Sequence, residues 1–337
     1  MELTQKSPRW LTKIADWQVI LLSLIVLLSL RLLLSEFQLS IASEMLIIGL
    51  FALSLNLILS YGGMVSFGHA AYYGIGGYSV AIGMREFGLN PWLALAIAPF
   101  ISALFALVIG WFCVRRRGLY FAILTLAFAQ LVYIMAFNAR AITGGDDGLH
   151  GLDFPEIISS PGNYYMFTVL VFISCYVLIR QIVRSNFILV LKATRENAER
   201  AEFIGVDVRL HQLIIFVIGG FFAGVAGALL VGEQHFVGVD MLFWTTSSEP
   251  ILASLLGGMY TLPGPAFGGG LLVFLELSLN RIFSSGVLEN VPLIGLISDI
   301  PWQMFLGIIT VTIVLIAPDG LLGQAQKLAG FSKEDEA

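Results

Sequence analysis

Charge and cysteine are both scarce in this chain of 337 residues, and what their scarcity excludes frames everything else. Only 12% of the residues are charged against 58% hydrophobic, which is not the balance of a soluble globular protein. The two cysteines, Cys113 and Cys175, lie inside apolar runs with no spacing suited to a disulfide or a metal, and read as small core residues. No grouping of His, Cys, Asp and Glu has metal-ligand spacing, and no nucleophile with a partnered base is recognisable. None of the five lysines follows a glycine, so the phosphate-binding Gly-x-x-x-x-Gly-Lys-Ser/Thr loop is missing. No cofactor, metal or nucleic acid is expected on this chain.

What the chain has in abundance is apolar sequence in long runs. A bilayer-crossing helix needs roughly 20 mostly apolar residues. Such segments occur at residues 17–34, 45–60, 64–84, 92–114, 119–138, 164–179 and 213–231. Two shorter pieces follow at 251–260 and 266–279, split by Thr261-Leu262-Pro263-Gly264-Pro265, and a last run covers 302–317. The expected fold class is therefore all-α: a polytopic transmembrane bundle of about ten segments, two of them short or broken. The continuous runs argue against the short alternating strands of a membrane β-barrel. The first run is too long for a secretion-signal core and reads as an uncleaved span.

Lys and Arg orient the list. Lys6, Arg9 and Lys13, then Arg115-Arg116-Arg117, then the stretch after the sixth run, then Lys327 and Lys333 all fall on one side if the two short pieces go in and return. That places both termini in the cytoplasm. The division expected is a cytoplasmic N-terminus (residues 1–16), a transmembrane domain (17–320) with a cytoplasmic coupling segment (185–210), and a cytoplasmic tail (321–337). Arg31, Arg85, Arg140 and Arg281 fall on the opposite side as single charges.

An internal repeat is hinted at. Gly62-Gly63-Met64 recurs as Gly257-Gly258-Met259, followed by Gly68-His69-Ala70 and Gly264-Pro265-Ala266 respectively. Both copies interrupt an apolar segment, and irregular backbone at membrane depth survives only inside protein or beside a polar cavity. Polar residues within the runs are the candidates for a translocation path: Asn56, Ser66, Gly68, His69 and Gln130. His69 is open to two readings, a hydrogen bond to a neighbouring helix or a place on the path. Glu276, near Arg281 and a span end, is expected in an interfacial ion pair.

Residues 180–209 are the one strongly charged island. Six basic residues (Arg180, Arg184, Lys192, Arg195, Arg200, Arg209) and four acidic ones (Glu196, Glu199, Glu202, Asp207) lie between two apolar runs, so this segment sits in water. Thr194 is expected to cap a helix with Glu196 in its first turn and Gly205 at its stop. Thr194, Ala198, Ala201 and Gly205 would form a stripe of small residues suited to close approach to a partner's groove.

Glu199-Arg200-Ala201-Glu202-Phe203-Ile204-Gly205 resembles the Glu-Ala-Ala-x-x-x-Gly loop of membrane subunits of binding-protein-dependent ABC importers, with Arg200 in place of the first Ala. Ala193-Thr194-Arg195-Glu196-Asn197 and Gly205-Val206-Asp207-Val208 are similar to the branched-chain amino acid branch. So are the run from Tyr61-Gly62-Gly63-Met64-Val65 to Ser66-Phe67-Gly68-His69-Ala70 and Thr143-Gly144-Gly145-Asp146-Asp147-Gly148-Leu149. With Tyr120-Phe121-Ala122-Ile123-Leu124-Thr125-Leu126 they resemble the M-type permease of that importer, over about residues 44–323. The resemblance implies a multi-pass permease of the bacterial inner membrane, without its own ATPase site. Its implied partners are a second related permease, two ATP-binding subunits that hydrolyse ATP, an extracytoplasmic binding protein and membrane lipid. It also implies that Arg195, Glu196, Glu199, Ala201 and Gly205 couple to the ATPase. Asp146 and Asp147, on the outer side by the orientation argument, are expected to meet the binding protein.

Three rivals remain open at this point. They are a permease for urea, short amides or simple sugars, an ion-coupled secondary transporter, and an intramembrane enzyme using Ser66 and His69 on one helix face.

Overall fold

Helices occupy nearly every apolar run. The computed structural model describes residues 9–284 and 302–328. Lys6 and Lys333, two of the charges used for orientation, lie outside the described residues. The long helices are α1 (Arg9–Leu33), α2 (Glu36–Asn56), α3 (His69–Arg85), α4 (Pro91–Cys113) and α5 (Leu119–Asn138). Two single turns, α6 (Arg140–Thr143) and α7 (Glu156–Ser159), lie in the loop before α8 (Pro161–Val183). Then come α9 (Asn186–Glu196), α10 (Ala198–Phe203), α11 (Val208–Gln234), α12 (Ser248–Gly257), α13 (Gly264–Ser284), α14 (Trp302–Ile316) and α15 (Gly320–Leu328).

The helix starts follow ordinary capping chemistry. Asn90 accepts from the Trp92 N–H with Pro91 in the first turn, Ser160 accepts from Asn163 ahead of Pro161, and Asp207 accepts from Leu210. Among the described residues, seven helical stretches are long and apolar enough to cross a membrane: 36–61, 91–113, 119–138, 161–183, 208–234, 264–284 and 302–327. The other three expected segments fall short. The apolar part of α1 runs only from Ile20 to Leu33, α3 has 17 residues and α12 has 10.

α2 and α11 form the centre, and α3, α4 and α13 pack around them. Small residues let the backbones touch, which replaces the hydrophobic drive that lipid does not supply. A Cβ added to Gly227 of α11 would stand 1.8 Å from the Tyr73 carbonyl oxygen of α3. Buried Ser102 of α4 ties both neighbours, with its Oγ 2.7 Å from the Tyr72 carbonyl and 2.8 Å from the Gly220 carbonyl. On the other side, a Cβ on Gly268 of α13 would lie 1.8 Å from the Ala253 carbonyl of α12, and one on Gly269 would lie 2.6 Å from the Gly49 Cα of α2. Both cysteines are free and buried in this packing.

The outer face of the bundle is greasy: Phe100, Leu104, Trp111, Ile123, Met135, Phe274, Val311 and Leu315 are exposed. A two-residue antiparallel pairing of β1 (Leu149–His150) with β2 (Phe236–Val237) closes the end opposite the charged island, with Leu149 opposite Val237.

Candidate functional site: two helix breaks and a charged loop

α2 does not end cleanly. It continues as one π turn over Leu57–Tyr61, a geometry that tends to mark functional sites, and the chain then runs irregularly to α3. The expected third run was to be helical from Met64. The helix instead opens at His69, because a Cβ at Gly68 would stand 2.1 Å from the Thr125 carbonyl and Gly63 sits at φ +65°. The second Gly-Gly-Met triplet behaves alike. Gly257 ends α12, Gly258 takes φ +114°, and α13 opens at Gly264. Each triplet thus ends a helix, turns through a positive φ at its second glycine, and leads to a glycine at the next helix start.

The two breaks are joined. Ser60 Oγ lies 2.6 Å from both Asn56 Oδ1 and the Met259 carbonyl oxygen, so one buried hydroxyl bridges the π turn and the second break. Arg195 then reaches both from the charged loop. Its guanidinium donates to the Ser60 carbonyl and stands 5.9 Å from the centre of the Tyr260 ring, a cation–π geometry. Its stem packs on Gly63, where a Cβ would sit 2.7 Å from Arg195 Cγ. Lys192 adds a second contact over the Tyr61 ring at 5.8 Å. The break, Arg117 and the loop enclose a cavity of about 530 Å³ lined by Gly62, Gly63, Phe67, Phe121, Arg195 and others.

The loop itself differs from expectation. Residues 195–205 are not one helix capped by Thr194. Thr194, Arg195 and Glu196 end α9, with Thr194 Oγ1 donating to the Leu191 carbonyl at 2.7 Å. The chain breaks at Asn197, extended at φ −152°, whose side chain caps α10 through the Arg200 N–H at 2.9 Å. Gly205 at φ +91° then turns the chain toward α11. Most of the small-residue stripe faces inward, since Thr194 and Ala201 are buried and Ala198 is half-buried, while Gly205 is exposed. What the tip presents outward is Glu199, Arg200, Phe203 (92% exposed) and Ile204 (77% exposed). Glu202 pairs with Arg117 at 2.6 Å, so the arginine-rich turn after α4 and the charged island share one end of the bundle, as the charge pattern required. Arg180, counted within the watery island, is instead buried.

Above the breaks, His69 is fully buried with Nε2 2.8 Å from Ser54 Oγ, stacked parallel to Phe51 and edge-on to Tyr72. The hydrogen bond to a neighbouring helix is made, while His69 Nδ1 is buried without a partner among the described residues, so the place on the path stays open. Ser66 lies in the irregular segment, so it does not share a helix face with His69, and the enzyme reading loses its geometry. Ser66 Oγ and Gln130 Oε1 are buried without hydrogen-bond partners among the described residues. The α3 start meets the α12 start, where the Ala70 N–H donates to Ser247 Oγ at 2.9 Å.

At the opposite end, Asp146 and Asp147 are exposed in a short 3₁₀ turn (Gly145–Asp147), and His150 Nε2 lies 2.7 Å from the Asp147 carbonyl. The expected pair of Glu276 with Arg281 does not form among the described residues. The carboxylates within electrostatic reach of Glu276 are Glu44 and Glu249, and Glu233 acts in turn on Glu44. Glu44, Glu233 and Glu249 escaped the sequence reading. Each sits at the edge of an apolar run and looks there like an interfacial charge; the rule that membrane-depth acids are functional would have flagged them.

A family described as branched-chain amino acid transport system, permease component, matches residues 37–317. The chain is similar to the high-affinity branched-chain amino acid transport system permease protein LivM of Escherichia coli (strain K12). The two are 28% identical over 246 residues, which is 65% of this chain and 58% of that protein. The LivM protein of Salmonella typhimurium is also 28% identical, over 67% of this chain and 59% of its own length. A probable branched-chain amino acid transport permease protein LivH of Methanocaldococcus jannaschii is 24% identical over 81% of this chain and 88% of its own. The chain thus spans a little under three fifths of the length of the two LivM relatives. No solved structure matches.

Proposed function

Because the chain belongs to the branched-chain amino acid transport system permease family, we propose that it is a membrane subunit of an ATP-driven importer, moving branched-chain amino acids across the bacterial inner membrane by alternating access. In this reading α1, α3 and α12 join the seven full-length helices to make about ten membrane segments, with both termini and the charged loop in the cytoplasm. The partners are a second related permease, two ATP-binding subunits and an extracytoplasmic binding protein that meets Asp146 and Asp147. ATP is hydrolysed by those partner subunits, and this chain carries no covalent chemistry.

One observation carries the proposal: Arg195, exposed at the end of α9, grips both helix breaks at once. Force applied to the loop tip reaches Ser60 through a charge-assisted hydrogen bond and Tyr260 through its ring face. Ser60 passes it to Met259. The π turn is the compliant element, since an i→i+5 turn stores the backbone slack a hinge needs. The exposed Phe203 and Ile204 on a charged tip are apolar surface waiting for a soluble protein, here the ATPase. Glu199 and Arg200 fix its register, while Ala201 and Thr194 seat the tip on the bundle rather than touching the partner. Asn56, Ser66, Gly68, His69 and Gln130 border the moving breaks along the path.

Gly205→Pro or Glu199→Lys, together with Phe203→Ala, tests this. Uptake of labelled leucine should be lost and co-purification of the ATPase weakened, with membrane insertion intact. Normal uptake in all three overturns the coupling role. Uptake of urea or ribose in place of leucine by the wild-type complex overturns the substrate class.

A further inference from the structure

Four carboxylates line one side of the bundle in its outer half, between α2, α11, α12 and α13, and helix geometry stacks them in a column. Gly49 of α2 faces Gly269 of α13, and Ala253 of α12 faces Gly268. At about 1.5 Å of rise per residue, Glu249, Glu44 and Glu276 then stand within roughly 6 Å of one another in height. Glu233 lies above them, hydrogen-bonded by the Ser40 hydroxyl one turn up α2. All four are half-buried, and no basic side chain pairs with any of them among the described residues. An ionisable group facing lipid at this depth is costly, so the column faces water or another chain, not the bilayer.

A second feature points to what the column receives. Tyr73 is 2% exposed, its ring stacked on Phe51 at 4.3 Å, and its hydroxyl has no hydrogen-bond partner among the described residues. Phe51 shares α2 with Glu44, and Ala70, one turn before Tyr73, donates to Ser247, two residues before Glu249, so the hydroxyl lies on the side of both acids. A buried, unpaired hydroxyl beside unpaired acids is a gap in an otherwise satisfied interior. The ligand that fills it is cationic and offers several donors. A metal ion fits poorly, because no three of these groups converge on a metal-binding geometry among the described residues. A primary ammonium, with three N–H donors, matches a column of dispersed carboxylates and one hydroxyl.

We propose that Glu44, Glu233, Glu249 and Glu276, with Tyr73 at the base, form a binding column for the primary ammonium group of the transported solute. The ammonium enters at Glu233 and Glu276 and passes to Glu44 and Glu249, where the Tyr73 oxygen accepts one of its hydrogens. This rests on the reading of the chain as an amino acid permease, and it adds which group of the solute the membrane subunit recognises.

The test uses the purified importer complex in lipid nanodiscs and two halves of leucine as probes. 3-Methylbutylamine keeps the ammonium and 4-methylpentanoate keeps the carboxylate. The amine should bind the wild type, weaken by about tenfold in Glu249→Gln and about threefold in Tyr73→Phe, in keeping with loss of a charged and a neutral hydrogen bond. The carboxylate should bind no differently in any of the three. Undiminished amine binding in both variants, or equal binding of the two probes to the wild type, overturns the inference. Should Glu249→Gln fail to assemble, Tyr73→Phe, which removes one oxygen, decides alone. Leucine uptake by the wild-type complex is scored separately. Uptake present with probe binding unchanged in the variants defeats this site and spares the permease reading. Amine binding without leucine uptake defeats the permease reading instead.

Discussion

The two ends of the transmembrane core treat their polar groups in opposite ways. At the charged-loop end, Asn56, Ser60, Met259 and Arg195 are linked in one hydrogen-bonded network. In the opposite half, four half-buried glutamates and the Tyr73 hydroxyl have no basic partner among the described residues. A satisfied network resists being pulled apart and so transmits displacement. An unsatisfied one is held by the packing around it and gains only when something arrives. In the proposed mechanism the first region is a mechanical joint and the second a receptive surface, and α2 runs through both.

The largest effect should come from breaking the frame that the two regions share. Gly227→Leu drives a side chain into the Tyr73 backbone and should cost about 3 kcal/mol or more, seen as lost thermal stability in detergent. Opening the joint alone is next. Ser60→Ala removes the hydroxyl that bridges to Met259, and leucine uptake should fall by about tenfold while the complex stays assembled. Making the receptive region resemble the joint comes third. Ser40→Lys places a resident cation beside Glu233, and it should raise stability by about 1 kcal/mol while uptake falls several-fold, the trade expected when a strained site is satisfied. Opposite movements of melting temperature and uptake would sharpen the contrast, and a fall in both would erase it. Smallest is the Asp146→Asn, Asp147→Asn pair. It should slow association with the binding protein by about twofold at low salt and not at high salt, because exposed charges steer encounter and are screened.

Much of the bundle was legible from hydropathy because a membrane helix is a local property of its own residues. The breaks were legible for the same reason, as two Gly-Gly-Met triplets interrupting apolar runs. The junction at Asn197 was not. Thr194 and Asn197 are both good caps, and the choice between them is made by burial of Thr194 against the bundle, which spacing cannot see. The direction of the small-residue stripe was misread likewise, since Ala201 turns inward only once α10 folds back. The glutamate column was invisible because its members come from four helices. Glu44 and Glu249 are about two hundred residues apart in the chain and meet only when α2, α12 and α13 pack. Glu276 was assigned to Arg281, five residues on, for want of knowing that nearer acids existed.

The central claim is that Arg195 links the charged-loop tip to both breaks, and the ratio of leucine imported to ATP hydrolysed tests it most directly. In proteoliposomes holding the whole importer, Arg195→Gln should leave ATP hydrolysis within about twofold of wild type while uptake falls by one to two orders of magnitude, about the weight of one lost charge-assisted hydrogen bond. An unchanged ratio, with transport and hydrolysis both intact or both falling together, would contradict it.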